Sequence, residues 1–114
     1  MYLENNKIAK IPIQISKLKN LESLDLPYNK IKEIPDEIYD LENLISLDLD
    51  YNKINIISPK ICQLKNLEQL CLSHNQISEI PEEVYKFERL RYLYLVYNKR
   101  IFTEIIEFEQ TIRE

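Results

Sequence analysis

The chain has 114 residues, 45% of them hydrophobic and 30% charged, which suffices for one domain with a continuous core and leaves no room for a second. Its formal net charge of −4 argues against nucleic acid as a partner, because that binding rests on Lys and Arg neutralising phosphates. No apolar run reaches the roughly 20 residues that span a bilayer, and the opening Met1-Tyr2-Leu3-Glu4 lacks a signal peptide's basic then apolar order. A protein of the cytoplasm, not of the membrane, is the expectation.

Asparagine sets the period. Asn6, Asn29, Asn52, Asn75 and Asn98 recur every 23 residues, and the rest of the pattern keys to them. Residues 1–20 form a truncated first unit, in which Met1 and Leu3 hold the second and third leucine positions. Full units follow at 21–43, 44–66 and 67–89, and a last one at 90–102. They open on Leu21-Leu24-Leu26, Leu44-Leu47-Leu49, Leu67-Leu70-Leu72 and Leu90-Leu93-Leu95, each in the pattern L-x-x-L-x-L-x-x-N. Downstream come Ile31 and Ile34, Ile54 and Ile57, Ile77 and Ile80. The full units close on Pro35-Asp36-Glu37-Ile38, Ser58-Pro59-Lys60-Ile61 and Pro81-Glu82-Glu83-Val84.

Spaced leucines also occur in amphipathic helices and coiled coils. Here the x-L-x-L-x core alternates with period two, which is strand periodicity, and prolines at 12, 35, 59 and 81 interrupt any long helix. The period predicts a parallel sheet of about five strands along a concave side, with leucines inward and the variable residues outward. The convex side is expected to hold extended, 3₁₀ or short helical turns beginning near each proline. The recurrent asparagine reads as scaffold, since its amide both donates to and accepts from backbone groups of adjacent coils.

At the far end the register breaks, with Arg100 where isoleucine is expected and Ile101 one residue late. Residues 103–114 read as a short helix: Thr103 suits the N-cap, Glu104 and Glu107 the first turn and Arg113 the last, with Ile105, Phe108 and Ile112 on one face. That helix is expected to lid the last repeat, with docking to a partner as the alternative.

Over nearly its whole length the sequence resembles the leucine-rich-repeat family, on the strength of four in-phase L-x-x-L-x-L-x-x-N copies and the Ile-Pro-x-x-Ile tails. The resemblance implies an α/β repeat solenoid, a horseshoe segment that recognises other proteins. The tails resemble intracellular members, and the short, glycine-free, Ile/Asn/Lys-rich form is similar to small repeat proteins of insect poxviruses, which would imply a host-cell location.

No catalytic site, cofactor site or metal site is expected. There is one histidine, no glycine for a phosphate loop or nucleophile elbow, and no Cys-x-x-Cys. Cys62 and Cys71 are too few for a disulfide framework and are expected to be reduced. Cys71 and His74 are two ligand types three residues apart, and two ligands do not make a zinc site.

What remains is the outward face, read in columns across the units. The position before each asparagine holds Asn5, Tyr28, Tyr51, His74 and Tyr97, a ladder of three tyrosines and the histidine. Between the second and third leucines stand Tyr2, Asp25, Asp48, Cys71 and Tyr94; beside them run Ser23, Ser46, Gln69 and Tyr92, and after the third leucine Glu4, Pro27, Asp50, Ser73 and Val96. The tyrosines in part shield strand ends and stabilise the sheet. Tyr92, Tyr94, Val96 and Tyr97 beside Arg91 nevertheless predict an aromatic hot spot, opposite an acidic half built from Asp25, Asp48 and Asp50. The expected partner is a protein with apolar anchors and Lys or Arg. The alternative is a homodimer, through the same face or through the uncapped first unit, whose edge invites strand pairing.

Overall fold

The computed structural model describes residues 1–3 and 5–99. The helix expected over 103–114, and the register break at Arg100 and Ile101, lie outside the described residues.

Each unit is one turn of a coil. It runs from a three-residue strand, through a turn around the asparagine, to a five-residue 3₁₀ helix and back. The order is η1 (Ile13–Lys17), β1 (Ser23–Asp25), η2 (Asp36–Asp40), β2 (Ser46–Asp48), η3 (Pro59–Gln63), β3 (Gln69–Cys71), η4 (Glu82–Lys86) and β4 (Tyr92–Tyr94). The strands form one parallel sheet in sequence order. Its register matches the 23-residue period, with Leu24, Leu47, Leu70 and Leu93 side by side. The fifth strand expected from the first unit is reduced to a single bridge between Tyr2 and Asp25. Two backbone bonds hold that bridge, from Leu3 N to Asp25 O and from Asp25 N to Met1 O, both 2.8 Å.

Prolines start the helices because they pre-set the backbone and have no N–H to leave unsatisfied. Pro12, Pro35 and Pro81 sit at the N-cap with extended backbone. In the third unit Pro59 takes the first helical position instead. Ser58 caps it, its Oγ accepting from Lys60 N at 3.1 Å, so the helix begins in the same register.

The core lies between sheet and helices. Leu24, Ile31, Ile38, Leu41, Leu44, Leu47, Leu49, Ile54, Ile61, Leu64 and Leu67 are all completely buried. Burial relaxes toward the first unit, where Leu3 and Ile8, like the adjoining Leu21, are only partly covered.

Asparagines hold the coils in phase. Asn52 Nδ2 donates to Leu26 O at 2.9 Å and to Leu49 O at 3.0 Å, while its Oδ1 accepts from Ile31 N at 3.0 Å. Asn29, Asn75 and Asn98 repeat this three-point pattern. Each side chain thus satisfies buried backbone groups on two neighbouring coils, as expected of a scaffold residue. A second, exposed ladder was not legible as such: Asn43 Nδ2 donates to Lys19 O, Asn66 Nδ2 to Glu42 O, and Arg89 Nη1 to Asn66 Oδ1, at 2.7–2.8 Å.

Candidate functional site

The ladder before the asparagines is a continuous stack. Ring centroids are 4.3 Å apart between Tyr28 and Tyr51, 3.9 Å between Tyr51 and His74, and 4.4 Å between His74 and Tyr97, with interplanar angles of 11°, 9° and 19°. All four residues, like Asn5, have φ of 57–58°, in the left-handed region. That conformation costs an ordinary residue about 1–2 kcal/mol. Glycine would adopt it freely, yet the chain has none. Stacking of the near-parallel rings returns about 0.5–1.5 kcal/mol for each of the three pairs, which offsets part of the strain. The stack leaves ring edges outward: Tyr28 is 52% exposed, Tyr51 39% and Tyr97 75%. Desolvation raises the Tyr51 phenol above its ordinary pKa, and the Tyr28 hydroxyl adds to this.

Toward the last unit the aromatic surface widens. Tyr92 and Tyr94 lie parallel, centroids 6.3 Å apart, on the outward face of β4, and Val96 is exposed beside Tyr97. Arg91, expected to border this patch, sits 3.7 Å from Glu68 Oε1 one unit back. It lines a separate charged hollow with Glu68, Glu88, Arg89 and Leu90.

The acidic residues occupy the opposite half, on and just after β1 and β2, but they are not idle charges. Ser23 Oγ donates to Asp25 Oδ2 at 3.0 Å. Asp48 Oδ1 accepts from Asp50 N at 3.0 Å, and Asp50 Oδ1 accepts from Ser73 N at 2.7 Å. The first two bonds are local to one unit, and the third ties neighbouring units together. Burial, reinforced by the nearby Asp48 charge, pushes the Asp50 carboxyl up to about 6, against the opposing effect of the Ser73 N–H.

One grouping went unrecognised in the sequence. Asp48, Asp50 and Cys71 bring their ligand atoms within 4.8 Å of one another. Cys71 is buried, its sulfur accepts from Gln69 Nε2 at 3.3 Å, and desolvation pushes its thiol up to about 12. The pairing considered from sequence, Cys71 with His74, is replaced by this one, since the His74 ring belongs to the stack. Cys62, on the convex limb, bonds through its sulfur to Glu83 O. Both cysteines are free thiols.

Among the described residues, no helix is long and apolar enough to cross a membrane. At the first unit, Met1, Leu3, Ile8, Ile11, Ile15 and Leu24 help line an apolar groove of about 330 Å³.

Stacked strand–turn–3₁₀ coils, inward leucines and asparagine ladders define a repeat solenoid. The family model for the leucine-rich repeat matches residues 1–54 and again 46–99, so the chain belongs to the leucine-rich-repeat family. Among solved structures it is similar to a leucine-rich-repeat protein of Leptospira interrogans, at 34% identity and a TM-score of 0.84 over 94% of this chain and 27% of that one. It is also similar to the BIR3–SERK2 complex of Arabidopsis thaliana, at 36% identity and a TM-score of 0.79 over 86% of this chain and 55% of that one. A third is the leucine-rich-repeat ectodomain of the Arabidopsis receptor kinase GASSHO1/SCHENGEN3 in complex with Casparian strip integrity factor 2, at 34% identity and a TM-score of 0.71 over 85% of this chain and 12% of that one. The chain thus spans about a quarter of the Leptospira protein's length. No curated protein matches the chain, and these three similar structures come from a bacterium and a plant, so they give no support to the narrower likeness to insect-poxvirus proteins.

Proposed function

We propose that this chain is a non-catalytic module that holds a protein partner on its concave face. The stack of Tyr28, Tyr51, His74 and Tyr97 carries this reading, because it presents aromatic edges across the whole width of the sheet and opens onto Tyr92, Tyr94 and Val96. Aromatic side chains dominate binding hot spots because they bury much area at little entropic cost. Asp25, Asp48 and Asp50 bias the partner toward Lys or Arg beside apolar anchors. Two of the similar solved structures are complexes, one with Casparian strip integrity factor 2 and one of BIR3 with SERK2. They support protein recognition as the general task. A cytoplasmic setting, proposed on the two free thiols and the absence of a disulfide framework in the sequence, is tested by the compartment of a tagged chain.

A second reading is favoured by the apolar groove at the first unit, where the strand is reduced to one bridge. Self-association there would cover the same exposed side chains. The test combines pull-down from source-cell lysate with light scattering on the same sample, for the wild type and for the triple variant Tyr92→Ala, Tyr94→Ala, Tyr97→Ala. Loss of a captured protein supports the partner reading. A fall in oligomer mass supports self-association through the concave face, and a mass lowered only by Leu3→Glu assigns it to the groove. If the triple variant changes neither, the concave face is not the binding site.

A further inference from the structure

We propose that Asp48, Asp50 and Cys71, together with the Ser73 hydroxyl, form a zinc site in the middle of the concave face. The reading does not depend on the identity of any protein partner.

The four positions form a two-by-two block. Asp48 and Cys71 are direct neighbours in the register of β2 and β3. Asp50 and Ser73 are the next outward positions along the same two coils, and Ser73 N reaches Asp50 Oδ1 at 2.7 Å. Alternation places all four side chains on the outward face. The two carboxylates and the sulfur offer ligand atoms within 4.8 Å of one another. A tetrahedral zinc ion with bonds of about 2.0–2.3 Å sets neighbouring ligands about 3.3–3.8 Å apart, so a rotation of the carboxylates closes the site.

The independent observation is Ser73. Its side chain is only 5% exposed, and its hydroxyl has no hydrogen-bond partner. Buried polar atoms are partnered in the great majority of cases, and an orphan calls for an ion or water. This one stands at the fourth corner of the block. The ligands are also oriented from outside, as metal ligands are: a backbone N–H fixes each carboxylate through Oδ1, and the Gln69 amide donates to the Cys71 sulfur.

Donor chemistry selects the ion. Calcium and magnesium take six or more oxygen ligands, and a buried thiol among them is wasted. One thiolate with two carboxylates and a hydroxyl or water suits four-coordinate zinc. Binding releases the thiol proton, and the thiolate with two carboxylates leaves the occupied block one negative charge.

The test is a titration of the full chain, stripped with chelator, using Co(II) as a spectroscopic probe and Zn(II) as competitor. One equivalent of Co(II) should give a thiolate-to-cobalt charge-transfer band, which Zn(II) bleaches. Cys71→Ser should abolish the band, Asp50→Asn should weaken binding by about tenfold to a hundredfold, and Cys62→Ser should leave both unchanged. No saturable band in the wild type would overturn the proposal, leaving a proton or water to satisfy the cluster. A band lost in Cys62→Ser, or lost in His74→Ala while Asp50→Asn keeps it, would overturn it too. If circular dichroism shows the Cys71 variant unfolded, the wild type's zinc-dependent rise in melting temperature decides, since Asp50→Asn should show a smaller rise at the same zinc concentration; no rise in the wild type would overturn the proposal.

Discussion

Single side chains do two opposite things in this solenoid. Asn52 joins two coils by three bonds to buried backbone groups, so truncating it strands those groups away from water. Asn52→Ala should cost about 2–4 kcal/mol, read from urea unfolding midpoints, far more than truncating the exposed Asn43. Asp50 acts in the other direction. Its carboxyl, pushed up to about 6, binds its proton more tightly folded than unfolded. The folded state is therefore favoured at low pH, and stability is lost as pH rises from the unfolded value near 4 through about 6. Asp50→Asn keeps an oxygen for the Ser73 N–H and removes the charge. In the presence of chelator it should be more stable than the wild type at pH 7.5 by about 1–2 kcal/mol, after discounting for partial exposure. Its stability should also be flatter between pH 4 and 6.

At the scale of an element, the stacked column trades backbone strain for ring contact. Tyr51 sits at φ 57° between Tyr28 and His74. Both Tyr51→Ala and Tyr51→Gly lose these contacts, but glycine alone relieves the left-handed backbone. Despite glycine's larger unfolded-state entropy, Tyr51→Gly should be the more stable of the two by about 1 kcal/mol. Thermal melts of the pair decide it, and the reverse order would mean that the turn is not under strain. The column was legible as a ladder because the period fixes which residues share a rung. That its members are left-handed was not, since three of the four are tyrosines, which carry no local signal for that conformation.

For the whole molecule, stability is shared between neighbours. Each coil buries its leucines only against the adjacent coils, and Leu47 is completely buried at the centre of the sheet. Leu47→Ala should cost about 2–5 kcal/mol and raise amide hydrogen exchange in the coils on both sides together, as expected of nearest-neighbour coupling. The partly covered Leu3, truncated in the same way, should raise exchange only at the first unit.

The sequence alone determined the coil, its period, the inward leucines and the asparagine scaffold, because each depends on a local pattern repeated in phase and stacking adds only translation. It also named the columns of the concave face. The tertiary structure decided which atoms within those columns are already spent. It showed Arg91 facing Glu68, Asp48 and Asp50 holding backbone N–H groups, and the first strand shrunk to a bridge. It also gathered Asp48, Asp50, Cys71 and an unpartnered Ser73 hydroxyl. Those outcomes rest on hydrogen-bond geometry and burial, for the most part between residues one repeat apart, and no residue pattern along the chain encodes them.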